Sequence, residues 1–439
     1  MGRVSIFGGV SEIGGNKIVV EDKDTRLLLD FGMSISTRSK YFSDPYVSPR
    51  RKESLLELGI IPRIPGIYSW ETKTSVDAIL LSHAHLDHYG YLSMLNRAIP
   101  VHCGEATRVI MGAITETRRS AMETDYRGIA YKTFRSGSKI KIGSISVIPV
   151  HVDHSIPGAY GLILETSDGR MVYTGDLRAH GRAASLTADF VKAAASDSTD
   201  LLLNEATNMV GGIVSNEEEV GGKLLKVIER APGLVMASFS TMDTDRLLSF
   251  YNASKASGRT LVLSLRQAFF LTKLSKEKEL RLPGLDDESI AVYKREKKRF
   301  EDWEEHVSSN ARVLSSSDLA KSQRRYVLAA SLSDMEGMIG VRPEGGSVYI
   351  LSSSEPFNEE MELDMQRLIG WLDYYGVPLY HIHVSGHIMP QELRELVTSI
   401  NAERTVPIHT EHPELFAKFS GLGSDRVKVP RVAEPIEIG

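Results

Sequence analysis

Apolar and polar positions change rhythm along this 439-residue chain. Up to about Glu205, short apolar runs ended by turn residues predominate. The segments 26–29, 76–81, 145–150 and 171–174 read as strands, two of them ending in Asp30 and Gly175-Asp176. Helical spacing is expected around Leu92, over 107–124 and over 189–195, with strands filling 140–173. That order predicts a sandwich of two mixed sheets with helices outside. From about Ala206 to Leu379, helices and apolar strands alternate: helix 217–230, strand 234–237, helix 244–257, strand 260–265. Such alternation predicts a parallel α/β sheet. The charged stretch 276–310, with Pro283-Gly284 in its first part, reads as an irregular or helical excursion.

Composition is that of an ordinary globular protein: 42% hydrophobic and 25% charged residues over this length suffice for two sizeable cores. The longest apolar runs fall well short of a membrane span, and the first residues carry neither a signal-peptide core nor a myristoylation pattern. A cytoplasmic protein without membrane association is expected. Cys103, the single cysteine, excludes an intrachain disulfide and a cysteine-based metal site. The net charge of −5 does not advertise nucleic-acid binding. Local basic stretches qualify this, at 37–40, 49–52, 117–119 and 294–299. The last lies in a Glu/Lys-rich segment and reads as a solvated face. Arg50, Arg51 and Lys52 lie near Tyr41 and Tyr46, whose rings could stack on bases.

The sharpest chemical signal is His83-Ala84-His85-Leu86-Asp87-His88, three imidazoles and a carboxylate at the mouth of a strand. Nitrogen and oxygen donors of this kind suit Zn²⁺, with Mn²⁺ as the alternative, and the loop can turn His83 and His85 to one ion and Asp87 and His88 to another. One loop cannot complete two sites. His154 follows the strand 145–150, and Asp176 closes 171–174, where a carboxylate can lend one oxygen to each ion. His151 reads as a neighbouring or solvated histidine.

In order along the chain, Asp30, the H-x-H-x-D-H loop, His154 and Asp176 resemble the first motifs of the metallo-β-lactamase superfamily. The resemblance implies that Asp30 orients the histidine loop without binding metal, and that His83, His85, His154 and Asp176 hold one ion while Asp87, His88 and Asp176 hold the other. Glu205, His387 in Val384-Ser385-Gly386-His387, and His409 after Pro407-Ile408 resemble the later motifs of the β-CASP nucleases. On that likeness His409 completes the second site, and His387, oriented by Glu205, serves the scissile phosphate. The opening Phe7-Gly8-Gly9-Val10-Ser11-Glu12-Ile13-Gly14-Gly15-Asn16 is similar to that of the ribonuclease J branch, whose shorter form, without a C-terminal domain, this chain resembles. Where that branch has a glycine-containing stretch, Ser352-Ser353-Ser354-Glu355-Pro356 stands here.

The resemblance implies an αββα metallo-β-lactamase sandwich over 1–205 and 380–439, with a parallel α/β β-CASP cap inserted over 206–379. It implies a two-metal hydrolase acting on single-stranded RNA, 5′→3′ from a 5′-monophosphate, with some endonuclease action in RNA processing and decay. Asp87, Asp176, Glu205 and His387 are the expected catalytic groups, and Ser385, Gly386, Ser353 and Ser354 the expected contacts to substrate phosphate. The oligomeric state is left open, a homodimer included. Two rivals stand beside this reading: a nuclease of the same architecture acting on DNA or only internally, and a small-molecule hydrolase, which would need neither Glu205 nor His387.

Overall fold

The computed structural model describes residues 2–44, 46–119, 121–210, 215–356 and 358–439. It divides into two compact units, one formed by Met1–Gly212 with Gly386–Gly439, the other by Ile213–Ser385.

In the first unit a seven-stranded sheet runs in the order Pro435–Glu437, Arg3–Gly8, Lys17–Asp22, Thr25–Phe31, Ala78–Leu80, Val101–Gly104, Tyr131–Phe134. A six-stranded sheet runs Arg404–Ile408, Leu201–Glu205, Arg170–Tyr173, Tyr160–Glu165, Ile145–His151, Ile140–Ile142. Both sheets are mixed. Their facing sides supply one core, in which Val4, Ile18, Leu27 and Leu29 meet Val147, Leu162, Met171, Leu201 and Leu203. Strand period explains the next layer. Leu202, between Leu201 and Leu203, points the other way, as do Ile163 and Val172. That outer face is covered by helices Ala184–Ala194 and Pro390–Ile400, through Phe190, Leu393, Leu396 and Val397. Helix Glu105–Thr117 packs on strands of the first sheet, giving the αββα order.

The second unit is a seven-stranded, all-parallel sheet, ordered Val313–Leu314, Ile290–Tyr293, Thr260–Ser264, Tyr326–Ala329, Val235–Ser238, Val348–Leu351, Leu379–His381. Helices Glu217–Arg230 and Thr244–Ala256 fall where helical spacing puts them.

Several expected bounds move. The helix expected over 107–124 ends at Thr117, because Arg118 is extended (φ −97°, ψ 141°), and a separate 3₁₀ turn occupies Met122–Thr124. The excursion at 276–310 contains the core strand Ile290–Tyr293 and helix Asp302–Ser309. Tyr380 and His381, expected in the return segment of the sandwich, pair with Ile350 and Leu351 in the parallel sheet, so the second unit extends to Ser385. The segment after Glu205, assigned to the cap from the sequence, stays with the first unit through Thr207 and Asn208.

Candidate metal centre

Each residue of the centre stands where a strand of the first unit gives way to a loop. The histidine loop follows Ala78–Leu80, and its last part coils into the short helix Leu86–Tyr89, which puts Asp87 and His88 on the first turn. His154 follows Ile145–His151, Asp176 follows Arg170–Tyr173, and His409 follows Arg404–Ile408. His409 is left-handed (φ 56°) and donates its N–H to the Gly9 carbonyl at 2.8 Å, so the glycine-rich opening fixes it. The same opening holds Asp87. Asn16 N–H donates to the Asp87 carbonyl at 3.1 Å, and a Cβ on Gly14 would lie 2.4 Å from Asp87 Oδ2.

Two groups of donors result, His83, His85, His154 and Asp176 in one, and Asp87, His88, Asp176 and His409 in the other, with the ligating atoms of each within 4.8 Å of one another. Asp176 belongs to both. Its Oδ2 lies 3.0 Å from His88 Nε2, 3.4 Å from His409 Nε2, 3.7 Å from His83 Nε2 and 4.0 Å from His154 Nε2. His85 presents Nδ1, 3.0 Å from both His83 Nε2 and His154 Nε2.

Hydrogen bonds fix which ring nitrogen faces inward. The buried Asp30 carboxylate, itself left-handed in backbone (φ 56°), accepts from Ser82 N–H at 2.8 Å, Ser82 Oγ at 2.7 Å, Tyr173 Oη at 2.6 Å and His88 Nδ1 at 2.8 Å. With its one proton given to Asp30, Ser82 Oγ can only accept from His83 Nδ1, 3.0 Å away. Likewise Thr207 Oγ donates to Glu205 Oε2 at 2.7 Å and accepts from His409 Nδ1 at 2.9 Å. His154 Nδ1 donates to the Gly386 carbonyl at 2.6 Å. Four imidazoles therefore carry their proton outward and turn Nε2 lone pairs toward the centre, the tautomer a metal ligand needs.

The donor set fits divalent cations. Both Asp176 oxygens and His88 Nε2 are buried without a hydrogen-bond partner among the described residues, and a buried, unsatisfied carboxylate is costly unless a cation meets it. Electrostatics point the same way. Burial foremost keeps His83 and His154 neutral, and brings His85 down to about 4. Burial opposes charge on His88 too, but Asp176, Asp87 and Asp30 raise it well above the ordinary histidine value. These carboxylates draw positive charge to one spot, which a cation can supply in place of a proton.

His387 is built differently. Its Nδ1 lies 3.2 Å from Glu205 Oε1 and 3.9 Å from Asp176 Oδ2, outside either donor group. Burial disfavours its charge, yet Glu205, by ion pairing and hydrogen bonding, then Asp176 and Asp87, lift it to about 9. Glu205 is anchored by the Leu177 and Thr207 N–H groups, each at 3.2 Å.

Of the residues singled out in the sequence, Asp30, the histidine loop, His154, Asp176, Glu205, His387 and His409 converge here. Gly386 joins them through its carbonyl, on His154. Ser385, Ser353 and Ser354 belong to the second unit, where the Ser353 carbonyl lies 2.8 Å from His381 Nε2. His151 is in neither group and stacks on Tyr160, centroids 4.8 Å apart. Sequence reading missed Ser82, Thr207 and Tyr173. Their only signal is adjacency to a ligand, Glu205 or a strand end.

A family model described as a β-lactamase superfamily domain matches residues 44–207, a stretch that contains the histidine loop, His154, Asp176 and Glu205. Among curated proteins, the chain is 26% identical to ribonuclease J 2 of Streptococcus pyogenes, over 94% of its own length and 71% of the relative's. It is 27% identical to ribonuclease J of Sinorhizobium meliloti, over 84% of this chain and 66% of that one. For ribonuclease J of Thermus thermophilus the identity is 26%, over 92% and 67%. The chain thus spans about two thirds of the length of these relatives. A crystal structure of an Enterococcus faecalis protein of unknown function shares the fold, with a TM-score of 0.77 at 22% identity, over 99% of this chain and 100% of that one. Residues 44–207 thus match the β-lactamase superfamily domain, and over most of its length the chain is similar to ribonuclease J proteins.

Proposed function

We propose that the protein is a metal-dependent ribonuclease that hydrolyses RNA phosphodiester bonds with two divalent ions, Zn²⁺ first among the candidates. The observation that carries this reading is the pair of donor groups sharing Asp176, with the His387–Glu205 pair beside them. Ions bound there supply Lewis acidity for phosphodiester hydrolysis near neutral pH. The nitrogen-rich donor set favours Zn²⁺ over Mn²⁺.

The chain's own residues have distinct tasks. Asp176 and Asp87 hold charge and spacing at the centre. Ser82, Asp30, Thr207 and the Gly386 carbonyl keep the ligand rings in one tautomer. His387 needs no place among the ligands, and its bond to Glu205 favours an imidazolium that can offset charge on a phosphoryl oxygen or give a proton to the departing oxygen. A small-molecule hydrolase would have no use for this second pair, which favours the nuclease reading.

The finer part of the proposal is 5′→3′ exonuclease action on single-stranded RNA bearing a 5′-monophosphate. Purified protein incubated with end-labelled RNA and DNA, each with monophosphate, triphosphate or hydroxyl 5′ ends, tests it. Mononucleotides should accumulate from monophosphorylated RNA, and triphosphate ends should react more slowly. If circular RNA is cut as fast as linear RNA and yields long fragments throughout, the enzyme is an endonuclease. Preference for DNA would move the substrate class.

A further inference from the structure

Two of the basic stretches seen in the sequence, 49–52 and 117–119, are far apart along the chain. In the first unit one cavity of about 330 Å³ is lined by Lys52 of the first stretch, by Ala121 and Met122 shortly after the second, and by Ser69, Ser93, Arg97 and Asp125. Lys52 has no carboxylate partner among the described residues, and Arg97 feels the Asp125 carboxylate without a direct ion pair to it. The Lys52 ammonium donates to Ser69 Oγ at 2.8 Å and sits 5.6 Å from the Trp70 ring centroid. The Arg97 guanidinium is spent on carbonyls, those of Leu92, Ser93, Leu95, Asp125 and Arg127. Carbonyls satisfy its hydrogens but do not cancel its charge. The Asp125 carboxylate is already held by Arg127, at 2.7 and 3.0 Å. The Ser93 hydroxyl gives its hydrogen to the Glu123 carbonyl at 2.8 Å, so the cavity offers the Lys52 ammonium and the Ser69 hydroxyl as donors beside the Arg97 charge, the chemistry of a phosphate contact.

Its position ties it to the metal centre. Ser93 lies in the 3₁₀ turn Gly90–Met94, which follows the helix bearing Asp87 and His88 across a kink at Tyr91. Ser93 is thus five residues along the chain from His88. Beside Lys52 lies an exposed ring, Trp70, which stacks on Tyr68 at 4.5 Å and is 40% exposed. By contrast, the stretch 294–299 answers its own charge, with Lys294 on Glu305 and Lys297 on Glu304.

We infer that the Lys52–Arg97 cavity is a second phosphate subsite, which holds the backbone of a single RNA strand away from the bond being cut. This rests on the ribonuclease reading for the identity of the strand, but not for the charge of the cavity.

The test compares wild type with Lys52→Glu, and with Lys298→Glu as an exposed control of equal charge change. Binding is read on the metal-loaded protein with a phosphorothioate-linked single-stranded RNA that resists hydrolysis, over a range of salt. Turnover of bis(p-nitrophenyl) phosphate is followed in parallel. Lys52→Glu should weaken RNA binding about tenfold and flatten the salt dependence by about 0.7 per lost phosphate contact, with turnover of the small ester unchanged. The control should bind like wild type. Unaltered binding by Lys52→Glu, or an equal loss in Lys298→Glu, overturns the subsite. Should wild type bind the strand but hydrolyse no RNA, the proposed activity falls, while the binding comparison still decides the subsite.

Discussion

Asp176 is the one side chain common to both donor groups, and its two oxygens are buried with no hydrogen bond among the described residues. Truncation to alanine removes the shared donor and leaves the histidine Nε2 atoms without the carboxylate that faces them. Asp176→Ala is expected to fold, to bind less metal than wild type by elemental analysis, and to lose RNA hydrolysis. Full activity with two bound ions would rule out the shared role. His387 makes the opposite case, because its nearest carboxylate is Glu205 and it stands outside both groups. For His387→Ala, metal content should stay near wild type while turnover drops by about two to four orders of magnitude, the range of lost acid–base assistance. Loss of one metal equivalent would instead exchange its role with that of His409.

Among the elements, the turn between strands Arg3–Gly8 and Lys17–Asp22 reaches into the site. Gly14 is left-handed (φ 76°), and a Cβ there would lie 2.4 Å from Asp87 Oδ2, so Gly14→Ala should displace Asp87. Roughly 1 to 3 kcal/mol of stability should go with it, the cost of a strained backbone position. One metal equivalent should be lost selectively. Gly112, inside helix Glu105–Thr117 with open space around its Cβ position, is the matched control. Gly112→Ala should raise stability by about 0.5 to 1 kcal/mol in denaturant melts, since it removes only the entropy cost of a helical glycine.

The same scale shows what was legible. The histidine loop announced itself because four candidate metal donors share six residues beside one strand, and His154 and Asp176 because each follows an apolar run. Ser82, Thr207 and Tyr173 did not. Serine, threonine and tyrosine hydroxyls are common everywhere, and these three acquire meaning only when folding sets them against His83, His409 and Asp30. Tyr380 and His381 were misassigned for a related reason. An alternating apolar segment announces a strand but not its sheet, and here it pairs with Ile350 and Leu351 of the parallel sheet.

For the whole molecule, the first unit is assembled from distant pieces. Strand Pro435–Glu437 lies antiparallel to Arg3–Gly8, Ile436 and Ile438 enter the core between the sheets, and His387 and His409 arrive from beyond the second unit to join a centre begun at His83. A cation bound there bridges segments that are unconnected in the unfolded chain, so its binding free energy is also folding free energy for this unit. At free metal a thousandfold above Kd, the gain is about 4 kcal/mol. The parallel sheet of the second unit has its own core, of Leu234, Met236, Val262, Tyr349 and Leu372, and the two metal donor groups contain no residue of that unit. Differential scanning calorimetry before and after chelation should therefore show two transitions, one falling by several degrees when metal is removed and the other staying in place. Restoring the ion should return the first. If the whole profile moves as one transition, the units unfold together and metal binding stabilises both; if nothing moves, the donor groups hold no cation in solution and the two-metal reading fails.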